Sequence, residues 1–90
     1  DPNKIFKNGE TPLNYAIQHC FDHVINSLIN NGANIHEKSF NGNTPLINAV
    51  KMNNMRLIKY LVRHKVDINA ENQNGETPLS IAVKYYNHEV

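Results

Sequence analysis

The chain has one cysteine, Cys20, and no tryptophan. A single cysteine cannot close an internal disulfide, which points towards a reducing, cytoplasmic setting. Long apolar runs are missing as well. Uninterrupted stretches such as Val24-Ile25 stop at two or three residues, against the roughly 20 that a membrane-spanning helix needs. No charged leader followed by an apolar run marks a secretory signal. Neither sign of charge dominates: nine basic and eight acidic residues leave a net charge of +1. That balance lacks the electrostatic footprint of a nucleic-acid binder and the polybasic patch of a membrane binder. The four glycines stand singly, so no glycine-rich loop could cradle a phosphate. Ninety residues allow at most one ordinary domain, near the lower size limit for a buried core.

What the sequence does have is repetition. "NGETPL" at 8–13 returns at 74–79, and "NGNTPL" stands between them at 41–46, each copy 33 residues after the last. Writing residues 8–40 above 41–73 pairs Asn8 with Asn41, Gly9 with Gly42, Thr11 with Thr44, Leu13 with Leu46 and Ala16 with Ala49. Ile25/Ile58, Leu28/Leu61 and Ile35/Ile68 match further along, and residues 74–90 restart the pattern. "DPN" at 1–3 is in register with "DIN" at 67–69. The expected units are therefore a tail at 1–7, full repeats at 8–40 and 41–73, and a partial repeat at 74–90. Asparagine accounts for sixteen residues; scattered without forming a tract, that excess reads as codon bias rather than chemistry.

Each recurring column has a physical reason. Thr before Pro starts a helix: the hydroxyl accepts from an orphan N–H of the first turn, and Pro there gives up no needed donor. Small Ala at 16, 49 and 82 lets neighbouring helices approach closely. The first helix of a unit spans about seven or eight residues, too short to persist alone in water. Val24, Ile25, Leu28 and Ile29, and then Leu57, Ile58, Leu61 and Val62, have the spacing of a second, amphipathic helix. Gly32 is placed to cap it in a left-handed conformation. Extended pieces around Ile35 and Ile68 then lead to an Asn-Gly turn. A lone unit cannot bury its apolar stripe, so units must stack. Leu13, Ala16, Val24, Leu28 and Ile29 are expected to pack on Leu46, Ala49, Leu57, Leu61 and Val62, and these on Leu79 and Ala82.

"NGETPLNYA", "NGNTPLINA" and "NGETPLSIA" at a 33-residue period, with "NNGANIH" and "VDINA", resemble the ankyrin repeat family over essentially the whole chain. The resemblance implies a mainly α fold, a solenoid of stacked helix-turn-helix units with projecting β-hairpin-like loops. The sequence departs from the family pattern in several columns. The His after T-P-L is replaced by Asn14, Ile47 and Ser80, and the inter-helix Gly by Cys20, Asn53 and Tyr86. Lys65 replaces a cap Gly, where either the turn must differ or left-handed strain must be tolerated. A second-helix Leu becomes Asp22, Met55 and His88.

The family also implies a non-catalytic module that binds another protein through the groove between loop tips and first helices. Mapped onto this sequence, the variable surface columns fall on Lys7, Asn8, Glu10, Gln18 and His19 in the first unit. In the second they fall on Phe40, Asn41, Asn43, Lys51, Met52 and His64, and in the third on Gln73, Glu76, Lys84 and Tyr85. Phe40 beside a turn reads as an anchor for a partner or as a side chain folded over the next unit. Met52 and Tyr85 share a column and read as an apolar strip or as helix-end packing; Lys51 and Lys84 read as a site for an acidic partner or as solvated charges. The expected module is a monomer with no cofactor, no nucleic-acid partner and no membrane partner. The alternative is a targeting or regulatory arm of a larger enzyme, channel or secreted effector.

Catalytic and metal chemistry finds little support. His19, Cys20 and His23 are close in sequence, but the repeat register puts a turn at residue 20 that breaks a shared helical face. A Cys20 nucleophile would lack an orienting third group. "LVRHKVDIN" at 61–69 resembles the segment in which some ankyrin proteins are hydroxylated, here at Asn69; otherwise Asn69 is a loop-stabilising residue.

Overall fold

Every Thr-Pro pair starts a helix in the computed structural model, which describes residues 3–39 and 41–86. The Thr11 hydroxyl accepts from the Asn14 N–H at 3.0 Å, Thr44 from Ile47 at 3.1 Å and Thr77 from Ser80 at 3.1 Å. The third cap is reciprocal, because Ser80 Oγ accepts the Thr77 N–H at 2.8 Å in return. These caps open α1 (Pro12–Gln18), α3 (Pro45–Lys51) and α5 (Pro78–Tyr86); α2 (Asp22–Asn30) follows α1 and α4 (Met55–Arg63) follows α3. Helix α1 packs on α2 and α3, and α3 packs on α4 and α5. First helices thus form one row with the second helices outside it, in a body of 45 × 25 × 23 Å. Five helices and no strand occur among the described residues, so the fold is mainly α.

The turn within each helix pair needs a left-handed residue. Cys20 adopts φ +58° and Asn53 φ +55°. In both copies the next N–H reaches back into the first helix, Phe21 to the Ala16 carbonyl at 3.0 Å and Asn54 to the Ala49 carbonyl at 2.9 Å. Lys65, at φ +62°, repeats the turn that Gly32 makes at φ +94°. The Ala33 N–H donates to the Leu28 carbonyl at 2.9 Å, and the Val66 N–H to the Leu61 carbonyl at 3.3 Å. The turn at Lys65 is therefore unchanged and its strain is tolerated. At Tyr86 no such turn occurs, since α5 runs through that residue.

The loops are tighter than extended pieces. Phe6 and Glu10, Ser39 and Asn43, and Asn72 and Glu76 each join by one backbone bond of 2.8–3.0 Å around an Asn-Gly corner. One rung per loop closes a turn without building a strand. Adjacent tips touch where the Gln73 N–H donates to the Asn41 carbonyl at 3.3 Å. A Cβ on Gly42 would stand 2.7 Å from the Gln73 nitrogen, so this approach requires glycine.

The core runs continuously through the units: Leu13, Ala16, Ile17, Ile25, Leu46, Ile47, Ala49, Val50, Leu57, Leu61 and Ile81 are all buried. Leu28, Ile29, Ile58 and Ala82 are partly buried against it. Three residues expected in the shared core lie outside it: Val24 is 46% exposed, Val62 49% and Leu79 73%. Val24 and Val62 each sit one position, about 100° of helix, from the buried Ile25 and Leu61. Leu79 is exposed because α5 packs only on α3 among the described residues, whereas α1 and α3, which carry its column mates Leu13 and Leu46, each also have a second helix and a following first helix against them. Ile17, Ile47, Val50 and Ile81 take the places that the apolar pattern had assigned elsewhere.

Replacing the left-handed lysine tests the strain. Lys65→Gly is expected to raise stability by about 1 kcal/mol, seen as a higher urea midpoint at unchanged slope.

Candidate protein-binding surface

Many of the polar side chains near the surface serve the stack and not the solvent-facing side. The largest set is a chain of buried asparagines. Asn14, on α1, donates to the Glu37 carbonyl at 3.1 Å. Its Oδ1 accepts from Asn48 Nδ2 on α3 at 2.8 Å, and Asn48 Oδ1 accepts from Asn43 Nδ2 at 3.2 Å. Asn43 Oδ1 in turn accepts from Asn72 Nδ2 at 2.8 Å, and Asn72 Nδ2 also donates to Glu76 Oε1 at 2.8 Å. Asn14 and Asn48 are essentially inaccessible to water, and no buried side-chain polar atom lacks a partner among the described residues. The departures from the T-P-L-His column thereby acquire a reason. Ile47 packs in the core, and Asn48, one residue later, carries the tie to the preceding unit.

Glu10 and Asn43 are both buried and so leave the expected open surface, Asn43 as a member of this network and Glu10 through bonds of its own. Glu10 Oε1 accepts from the Thr11 N–H at 3.1 Å and Oε2 from Gln18 Nε2 at 3.2 Å. Eight residues separate that pair, as they do Glu76 and Lys84, whose charged atoms lie 3.5 Å apart. Residues 10 and 43 lie just before the Thr cap, where the loop folds back onto the helix, so they face inward; Glu76, in the same column, is only half-buried. The codon-bias reading of asparagine is corrected in part. Asn14 with Asn48, and Asn72 with Glu76, join units, Asn43 links the two junctions, and Asn8 and Asn41 close turns by accepting from Glu10 and Asn43 N–H groups.

Of the remaining expected residues, Lys7, Asn8, His19, Met52, Gln73, Lys84 and Tyr85 are exposed, whereas Gln18, Asn41, Lys51 and Glu76 are half-buried. Phe40 lies outside the described residues. His19 and Met52 terminate α1 and α3, and Tyr85 stands at the equivalent place in α5. The Tyr86 hydroxyl donates to the Lys51 carbonyl, tying the ends of α3 and α5 together. Lys84 lies 5.6 Å from the centre of the Tyr85 ring. His64 belongs elsewhere. It caps the outer helix α4, its ring 4.1 Å from that of Tyr60, and so leaves the row formed by first helices and loops.

An aromatic patch escaped the sequence reading. Tyr15 is centred 5.8 Å from Phe6, 4.3 Å from His19 and 6.4 Å from Phe21, and Phe6, Tyr15 and Phe21 are each more than 40% exposed. Its only sequence signal was a mismatch within a column: the positions equivalent to Tyr15 are the buried Asn48 and Ile81. His19 and His23 sit on either side of the left-handed Cys20. No group of three His, Cys, Asp or Glu side chains is placed to hold a metal among the described residues. No helix among them is long and apolar enough to cross a membrane.

The family model described as ankyrin repeats (3 copies) matches residues 20–90. A comparison with curated proteins returns no match.

Two measurements test these assignments. Asn48→Ala leaves Asn14 Oδ1 and Asn43 Nδ2 without their partner, and is expected to cost about 2–4 kcal/mol, read from urea unfolding. Glu76 is held below the usual carboxylate range chiefly by the Asn72 hydrogen bond, with burial opposing it and Lys84 adding to the lowering. A lowered folded pKa means that the stabilisation is present at neutral pH and is lost as pH falls through that value. The urea midpoint should therefore drop more steeply below about pH 4.3 in the native protein than in Glu76→Gln.

Proposed function

Because this chain belongs to the ankyrin repeat family, we propose that it is a non-catalytic module that binds a partner protein across the row of first-helix ends and loop tips. Ankyrin repeats are generally protein–protein interaction modules. The observation that carries the proposal here is the repeated column His19, Met52 and Tyr85. It offers one exposed side chain per unit at 33-residue spacing, on a scaffold whose buried polar groups are all satisfied among the described residues. The members differ in chemistry (an imidazole, a thioether and a phenol), so the row can be specific without disturbing the core.

Lys51 and Lys84 precede Met52 and Tyr85 and supply positive charge beside the aromatic and thioether groups. A partner segment lying along the row would meet apolar contacts alternating with cations. Tyr suits such a role because it covers a large contact area with only two torsions to freeze, and Met because its flexible thioether adapts to an irregular partner surface. The loop tips at Lys7, Asn8 and Gln73 extend the same surface away from the helices.

The double variant Met52→Ala, Tyr85→Ala is expected to keep the native circular dichroism spectrum and lose the proteins that the native chain retains in an affinity capture. A folded double variant that retains all of them would place the binding surface elsewhere.

A further inference from the structure

The outer face of the stack has a different character. From Lys38 to Lys65 every charged residue is positive: Lys38, Lys51, Arg56, Lys59, Arg63 and Lys65. Three of them, Arg56, Lys59 and Arg63, stand exposed along α4 at a spacing that keeps them on one side of the helix. The sole ion pair among the described residues is Glu76–Lys84, so these three cations have no carboxylate partner. A near-zero net charge conceals a cationic ridge.

Beside the ridge the outer row is open. No Cα of α2 lies within 8 Å of one in α4, although the first helices α1 and α3 pack directly. The space between α2 and α4 forms a hollow of about 460 Å³ with Ile25, Ile29 and Leu57 on its floor. Asp22 and Asn26 line its α2 side, and Arg56 and Tyr60 line its α4 side. A second hollow of about 470 Å³ is lined by Arg56, Lys59, Tyr60 and Arg63. Arg56 and Tyr60 border both, so an apolar trough and a cationic strip run side by side.

We propose that this outer face is a second docking site, taking an amphipathic acidic segment of a partner protein, with an apolar side chain in the trough between α2 and α4 and carboxylates on Arg56, Lys59 and Arg63. Arginine favours this occupant, because its planar fork matches a carboxylate with two parallel hydrogen bonds. The trough favours a peptide over a nucleic acid. Its apolar floor can bury an aliphatic side chain, which a phosphate backbone lacks, while the Asp22 carboxylate on the far wall keeps an acidic segment's charges on the α4 side. Three cations on one helix also give only a short track for a polyanion. The site is separate from the row of His19, Met52 and Tyr85, so two partners could be held together.

The test is fluorescence anisotropy with a labelled peptide of about 14 residues built from Leu-x-x-Glu repeats, the helix-in-groove type of ligand. The controls are the same peptide with Ser for Leu, a single-stranded DNA oligonucleotide, and phosphatidylserine vesicles. The native chain is expected to bind the Leu/Glu peptide with an affinity that falls as salt rises. Arg56→Gln with Arg63→Gln should weaken binding at least about tenfold, in line with the loss of two charge-assisted pairs. Asn26→Asp, which adds a negative charge to the opposite wall, should weaken it as well. Met52→Ala with Tyr85→Ala should leave it unchanged, which separates this site from the first. Circular dichroism of each surface variant checks the fold. No binding of the Leu/Glu peptide, or equal binding to the double arginine variant, would overturn the proposal. Equal affinity for the Ser-substituted peptide, the oligonucleotide or the vesicles would also overturn it, since the ridge would then be reading charge alone.

Discussion

The hydrogen-bonded run from the Glu37 carbonyl through Asn14, Asn48, Asn43 and Asn72 to Glu76 is the constraint on which the rest of the arrangement depends. Helices of seven to nine residues do not persist alone in water, and apolar packing between them is non-directional. Packing drives the units together, but short apolar faces could slide past one another. A carboxamide that donates to one neighbour and accepts from another has no equivalent partner one turn away. Because unsatisfied buried amides cost far more than made ones contribute, the network penalises misregistered stacks more than it rewards the native one. It thereby fixes the position of each loop relative to the next first helix.

That rigidity allows the backbone to carry strain elsewhere. Cys20, Asn53 and Lys65 hold the left-handed conformation without glycine's freedom, at a cost of about 1–2 kcal/mol each in the absence of compensation. The compensation is local and repeated. Each turn lets two successive N–H groups reach back into the preceding helix, satisfying carbonyls that a helix end would otherwise leave open. Asn53 is the least strained of the three, since asparagine tolerates this region best after glycine. Lys65 is a long side chain at the surface, where the only requirement is that its backbone complete the turn.

Much of this organisation was legible because it repeats. The period, the Thr-Pro starts, the inter-helix turn at Cys20 and the left-handed demand at Lys65 were each readable from a column of equivalent residues. Other features resisted for a physical reason. Whether Leu79 is covered depends on a neighbouring helix and not on leucine, so its identity with Leu13 and Leu46 was misleading. Val24 and Val62 lay within one residue of the true inward stripe, a difference that a hydrophobic pattern on a nine-residue helix barely resolves. Glu10 and Asn43 looked like surface residues because they are polar and vary between units. Their burial rests on partners eight residues away for Glu10 and 29 residues away for Asn43, which no local pattern contains. The asparagine network joins residues up to 34 positions apart and breaks the repeat register, with Asn48 taking over from the column that holds Asn14 and Ile47.

The division between the two faces follows from the same geometry. First helices pack directly on one another and so place their exposed C-terminal ends at regular intervals, with the tyrosine hydroxyl of residue 86 anchoring one end to the carbonyl of residue 51. Second helices share no such contact in the pair α2 and α4, and their spacing is set only indirectly, through α1 and α3. The inner row therefore presents single side chains at fixed intervals. The outer row is a set of ridges separated by troughs, in which a helix such as α4 can accumulate uncompensated charge because no neighbouring helix needs to be matched. Apolar floor and charged rim then arise together, since the residues that face α3 must be buried and those that face solvent are free of that demand.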